Sequence, residues 1–279
     1  MDLCRRSRHA FSRNGTIDMT TTMETLPPVR AILYDWGDTL VRPPGITTHP
    51  KGHFNCVQRF FEADLQPALS SAGGTSLEWP VFRDAYLEAT MDLVRHTIRT
   101  GREHSFAMRV SATLARCGQP DILDESACRN LADALGRYIA LDTVPIEGAR
   151  ETVIQQAARF RIGLLSNYPH ARTVRESLAA SGILAHLHEV VISADIGWSK
   201  PARQAFDAAL KALDTPPESI LFVGDDLEND MRGAKVMGMQ TAWLPRADQH
   251  EIAAGAIPEF VDIRLETIGD LVALPKYST

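Results

Sequence analysis

The chain has 279 residues, enough for one large domain or for one domain carrying an inserted module. Its hydrophobic content of 44% is sufficient for a buried core, and no apolar run reaches the length that spans a bilayer, so no membrane segment is expected. A net charge of -6 argues against nucleic acid as the main partner, while leaving room for a small anionic ligand in a locally basic pocket.

The chain opens on MDLCRRSRHAFSRNG, which is basic and polar and lacks the apolar stretch of a secretory signal. TTTMETLPP then reads as a disordered lead-in, and residues 1–28 are expected to add little to the fold. The cysteines, Cys4, Cys56, Cys117 and Cys128, are scattered without zinc-type spacing, which fits reduced thiols in a cytoplasmic protein.

VRAILYD (29–35) is a short, nearly continuous apolar run without helical period, as expected of a strand buried on both faces of a parallel sheet. The same pattern returns in FRIGLLSN (160–167), HEVVISAD (188–195), SILFVGDD (219–226) and MQTAWLP (239–245). The stretches ARTVRESLAASG, PARQAFDAALKAL and LENDMRGAKVMG between the later runs read as helices. Strands alternating with helices predict an α/β domain with a parallel sheet. From about His53 to Leu141 the character changes: apolar residues such as Phe82, Tyr86, Leu87 and Met91 recur at three and four positions, predicting a separate helical module. VRPPGITTHPKG and LDTVPIEG, rich in helix and strand breakers, are its linkers.

Polar groups gather at the ends of the predicted strands, where active sites of open α/β sheets are built. Asp35 and Asp38 follow the first run, Ser166 and Asn167 the second; Lys200 sits in GWSKPA, and Asp225 and Asp230 lie five apart in GDDLEND. Each feature alone is ordinary, since Asp and Ser-Asn commonly make turns and acids favour a helix start. As an ordered set they suit phosphoryl transfer: one carboxylate attacks phosphorus, a lysine offsets charge, and the remaining acids suit a hard cation such as Mg²⁺.

With these motifs the chain resembles the haloacid dehalogenase-like (HAD) hydrolase superfamily over about residues 29–245. LYDWGDTL resembles its first motif, usually written DxDGT after a hydrophobic lead; LLSN resembles the second, GWSKP the third, and VGDDLENDMRGAKVMGM the fourth. The resemblance implies a Rossmann-like parallel-sheet core (29–45 and 143–279) with an inserted α-helical C1 cap (46–142). It implies a Mg²⁺-dependent phosphatase of a small phosphorylated metabolite, working through an aspartyl-phosphate, with neither nucleic acid nor membrane as partner. Carried over by position, Asp35 is the nucleophile and a metal ligand. Thr39 and Ser166, with Asn167 beside them, bind the phosphoryl group, and Lys200 neutralises charge. Asp225 and Asp230 hold the metal, with the backbone carbonyl of Gly37.

Position 37 departs from the family pattern. Its second aspartate, a general acid and base, is replaced by Gly37, and Asp38 stands where the family has glycine. Gly37 retains a carbonyl for the metal but supplies no proton, and Asp38, one residue on, should point elsewhere from an extended backbone. Three readings follow: a substrate whose leaving group needs little protonation, a substitute acid from the cap or from water, or a slow protein kept for binding or regulation. DWG also resembles the DWA of phosphonatases, but these use a cap lysine, and residues 53–141 contain none. Dehalogenases of the family, the other C–X hydrolases, lack Mg²⁺ and do not usually have the GDxxxxD acids. In the insertion, Arg95, Arg99 and Arg102 share helical spacing and form a candidate anion patch, while His49 and His53 are candidates for the missing acid's place.

Overall fold

The computed structural model describes residues 27–45, 48–249 and 255–274. The expectation for residues 1–28 therefore lies outside the described residues, apart from Pro27 and Pro28. Six strands form one parallel sheet: β1 (Ala31–Tyr34), β4 (Arg161–Ser166), β5 (Glu189–Ile192), β6 (Ile220–Gly224), β7 (Gln240–Trp243) and β8 (Ile263–Arg264). Their order is β5-β4-β1-β6-β7-β8. The five apolar runs thus become strands, and the sixth, two residues long, is too short to register as a periodic pattern.

β1 shows why an unbroken apolar run suits this position. It pairs with β4 on one side and β6 on the other, so its alternate side chains enter two different layers. Ile32 and Tyr34 join Ile162, Leu164, Leu178 and Val223 on one face. Ala31 and Leu33 join Phe206, Ala209, Phe222 and Met231 on the other. With β4 and β6 leaving β1 in opposite directions, the strand order reverses beside β1, and a crevice at the strand carboxyl ends is the consequence.

The helices of the sheet domain are α6 (Ala149–Ala157), α7 (Ala171–Ala180), α8 (Ser193–Ile196), α9 (Arg203–Leu213) and α10 (Gly233–Val236). The stretch LENDMRGAKVMG, expected as one helix, is a π-helical segment, Leu227–Arg232, running into α10. Residues 50–141 are helical: α1 (Pro50–Phe60), a π-helical turn (Phe61–Leu65), α2 (Gln66–Ser71), α3 (Trp79–Thr100), α4 (Phe106–Arg116) and α5 (Glu125–Leu141). They enclose an apolar cluster of their own around Phe60, Phe61, Phe82, Tyr86, Phe106 and Leu135. Phe82 and Tyr86 lie in it as the periodicity predicts; Leu87 is exposed, because α3 carries a narrower buried stripe. Among the described residues no helix is long and apolar enough to cross a membrane.

The two predicted linkers pair with each other. β2 (Val41–Arg42) and β3 (Val144–Pro145) form a short antiparallel ribbon where the chain leaves the sheet domain and where it returns. A second junction lies between α5 and α7. Gly136 permits it: a Cβ there would stand 2.4 Å from His170 Nδ1 and 2.6 Å from Thr173 Oγ1. Thr173 donates to the Gly136 carbonyl at 3.1 Å, and His170 Nε2 lies 3.0 Å from Asp133 Oδ1.

Candidate active site

Asp35 is the first residue beyond β1, and its N–H donates to the Val223 carbonyl at 2.8 Å, which extends the ladder with β6 by one rung. The chain then reverses. Leu40 and Val41 both donate to the Trp36 carbonyl, Asp38 N–H donates to the Val41 carbonyl at 2.7 Å, and Asp38 takes φ 56°. Trp36 anchors the turn: it is buried, its Nε1 donates to Ser177 Oγ at 3.1 Å, and its ring lies 4.7 Å from that of Tyr168.

Lys200 is buried and reaches across the strand ends. Its Nζ lies 2.6 Å from Asp35 Oδ1 and 2.7 Å from Asp230 Oδ1. The backbone of Lys200 is clamped by one side chain: Asn167 Nδ2 donates to the Lys200 carbonyl at 2.8 Å, and Lys200 N–H donates to Asn167 Oδ1 at 2.7 Å. Asp225 follows β6. Its carboxylate accepts from Thr39 Oγ1 at 3.5 Å and from Arg246 Nη1, while its carbonyl accepts from Trp243 Nε1 at 2.9 Å. Asp230 lies in the π-helical segment, whose N-terminus is capped by Asp226 accepting from Glu228 and Asn229 N–H. Gly224 is required by this packing, since a Cβ there would sit 2.3 Å from Asp230 Oδ2.

Asp35, Asp225 and Asp230 each offer an oxygen, and these lie within 4.8 Å of one another. Burial pushes all three carboxyls upward. Lys200 opposes this at Asp35 and Asp230, and mutual repulsion adds to it at Asp225; Asp230 reaches about 7. Buried acids in this condition call for more positive charge than Lys200 and Arg246 provide. An all-oxygen donor set of this kind fits a hard divalent cation such as Mg²⁺.

Beside the cluster lies a pocket of about 210 Å³. Asp35, Gly37, Ser166, Asn167, Lys200, Asp225 and Asp230 all line it, so the expected residues converge, with one difference of placement. Thr39 is buried behind the wall, its hydroxyl turned to Asp225. Asp38 lines the pocket, and its left-handed backbone, rather than an extended one, directs its carboxylate towards His49 Nε2 at 3.3 Å. His53 does not line it. It is buried between the Pro44 carbonyl (3.1 Å) and Tyr86 hydroxyl (3.2 Å), and burial lowers it to about 4. Arg95, Arg99 and Arg102 do not line it either. Arg95 pairs with Asp92, Arg99 contacts His96, and Arg102 lies 3.8 Å over the Trp198 ring.

Sequence reasoning missed Arg246 and Tyr168. Arg246 stands just beyond β7, so the rule of polar groups at strand ends could have found it; Pro245 before it reads simply as the end of the strand. Tyr168 follows Ser166-Asn167 and carries no signal of its own, since its place in the pocket wall depends on Trp36 and Phe106 packing against it.

Known proteins resemble this chain in sequence and in fold. A relative named phosphoserine phosphatase, from Thermus thermophilus, is 30% identical over 236 residues, covering 81% of this chain and 85% of its own. Ribulose-1,5-bisphosphate 5-phosphatase from Halopiger xanaduensis is 29% identical over 250 residues, with 88% and 98% covered. Among solved structures, 2-haloacid dehalogenase from Pseudomonas syringae superposes with a TM-score of 0.61 at 15% identity, covering 88% of this chain and 97% of that one, a likeness of fold. The family model of the haloacid dehalogenase-like hydrolases matches residues 29–238, the span that carries every strand-end residue of the pocket, and the chain belongs to that family.

Proposed function

We propose that the chain is a Mg²⁺-dependent phosphatase of small phosphorylated metabolites. The observation that carries this reading is the buried set of Asp35, Asp225 and Asp230 with Lys200 between two of them. Two relatives that bear phosphatase names over most of the chain support it. The helical residues 50–141 would act as the cap over the pocket.

Asp35, Asp225, Asp230 and the Gly37 carbonyl would hold the cation, which, when bound, offsets phosphate charge. In the first step an Asp35 oxygen attacks phosphorus, and the bond to the leaving oxygen breaks with its electron pair. That oxygen takes a proton from water or leaves as the anion, because Gly37 has none to give. In the second step water attacks the aspartyl-phosphate at phosphorus, the bond to the Asp35 oxygen breaks with its electron pair returning to the carboxylate, and inorganic phosphate departs carrying the oxygen and protons of that water. Lys200 compensates charge through both steps, and Asn167 holds Lys200 in place. Ser166 is the wall residue suited to a phosphoryl oxygen.

Gly37 favours leaving groups that need little protonation, such as acyl phosphates. The test is phosphate release from a panel of phosphomonoesters and acyl phosphates, with and without Mg²⁺. Turnover that requires Mg²⁺ and is fastest with acyl phosphates is expected. Turnover of none of them would favour the rival reading of a binding or regulatory protein.

A further inference from the structure

Between α3 and α4 the chain makes a short descent, residues 101–105, from the helical segment onto the sheet domain. Gly101 turns it with φ 70°. Ser199 N–H donates to the Gly101 carbonyl at 2.9 Å, and Glu103 N–H donates to the Gly197 carbonyl at 3.2 Å. Phe106 N–H donates to the Pro169 carbonyl at 3.2 Å. The segments it meets are those next to Lys200 and to Ser166-Asn167.

Glu103 stands at the centre of this contact with its side chain buried. Oε2 accepts from Ser193 Oγ at 2.5 Å and from Ser199 Oγ at 2.8 Å. Oε1 accepts from His104 N–H at 2.9 Å and lies 3.2 Å from His104 Nδ1. Burial alone would raise this carboxyl, but the bonds from His104, Ser193 and Ser199 outweigh it and hold the group below its ordinary value. His104 is steadied in turn, because its Nε2 accepts from Arg109 at 2.9 Å.

Both serines lead to the pocket. Ser199 immediately precedes Lys200, and Ser193 Oγ accepts from Tyr168 N–H at 2.8 Å. Lys200, Asn167 and Tyr168 all line the pocket. A buried carboxylate that accepts from both ends of the 193–199 stretch fixes their spacing, Ser193 passes the hold on to the Tyr168 backbone, and bonds to a charged acceptor are the strong ones.

We infer that Glu103 is a positioning residue, which sets Lys200 and the Asn167-Tyr168 turn against Asp35 when the helical segment is docked. The site is then complete only with that segment seated, although Glu103 does not line the pocket. A shift of about 1 Å in a charged group at such a site costs on the order of 10²-fold in rate.

The experiment compares the full-length chain with Glu103→Gln, Ser199→Ala and the double variant, each checked for fold by circular dichroism. Glu103→Gln is expected to lower kcat on the order of 10²-fold with KM changed far less, and the double variant to be no slower than the slower single one. Glu103→Asp, which keeps the charge, is expected to regain part of the rate. Amide hydrogen exchange, which does not depend on turnover, is expected to quicken over residues 167–169 and 193–200 in Glu103→Gln. The kinetic arm rests on the proposed phosphatase reading; a wild-type chain without turnover would sink that reading and leave the exchange arm to decide the brace. Unchanged exchange over both segments would overturn the inference, as would a wild-type kcat in Glu103→Gln or losses that simply multiply in the double variant.

Discussion

Gly37 and Asp38 exchange the usual order of an acid and a glycine, and their backbones explain what the exchange costs. Asp38 occupies a left-handed conformation, φ 56°, which glycine accepts freely and which costs other residues about 1 kcal/mol, with Asp among the more tolerant. Gly37 needs no such freedom: a Cβ there would lie 3.7 Å from Pro43 Cγ, an ordinary contact. The double change Gly37→Asp with Asp38→Gly therefore fits the backbone and restores an acid beside Asp35. It is expected to raise kcat for alkyl phosphates by roughly 10²–10⁴-fold and for acyl phosphates far less. Equal gains on both substrate types would show that the acid at position 37 does not act on the leaving group. Arg246 is the residue that no motif announces. Its ion pair with Asp225 depends on where β7 ends in space, a distance of 21 positions along the chain.

At the scale of elements, the helical segment meets the sheet domain along α5 and α7, where His170 and Thr173 leave no room for a side chain at Gly136. Gly136→Ala would improve helix propensity in a peptide, yet here its methyl collides with His170 and Thr173. We expect a loss of about 1–3 kcal/mol, measured by urea denaturation, with a fall in Tm. A gain in stability would mean that α5 is free to shift. The same elements show what the sequence discloses. β1, β4, β6 and β7 were legible because strands buried on both faces must be apolar throughout. Asp35, Ser166, Asn167 and Asp225 were legible because each ends or follows such a strand, and Lys200 and Asp230 through the motifs GWSKP and GDDLEND that hold them. The β2–β3 ribbon was not, since two-residue strands have no period and their breaker-rich segments read as plain linkers. The π-helical segment at Asp230 was hidden for a similar reason: its sequence has the acids and apolar residues of an ordinary helix start.

For the whole molecule, the acid cluster links stability to pH and to metal. Burial, with repulsion from neighbouring acids, carries Asp230 from its ordinary 3.8 to about 7 despite Lys200, and Asp35 and Asp225 move the same way. Between these values the acid cluster binds more protons in the folded chain than in the unfolded one, so its contribution to the stability of the metal-free protein falls as pH rises, while His53, lowered to about 4, contributes the opposite slope. Mg²⁺ needs the ionised acids, so its stabilising effect is expected to be larger at pH 8 than at pH 5. Thermal unfolding at both values, with and without Mg²⁺, measures this, and Asp230→Asn is expected to remove the part of the metal-free protein's stability that falls as pH rises from 5 to 8. An equal Mg²⁺ effect at the two pH values would place the cation elsewhere. The chemistry itself turns on Asp35, the nucleophile of the proposed reaction. Phosphate release by purified Asp35→Asn, measured with Mg²⁺ beside the wild-type chain and with matching circular dichroism, is predicted to fall to background; turnover at the wild-type rate would contradict the covalent mechanism.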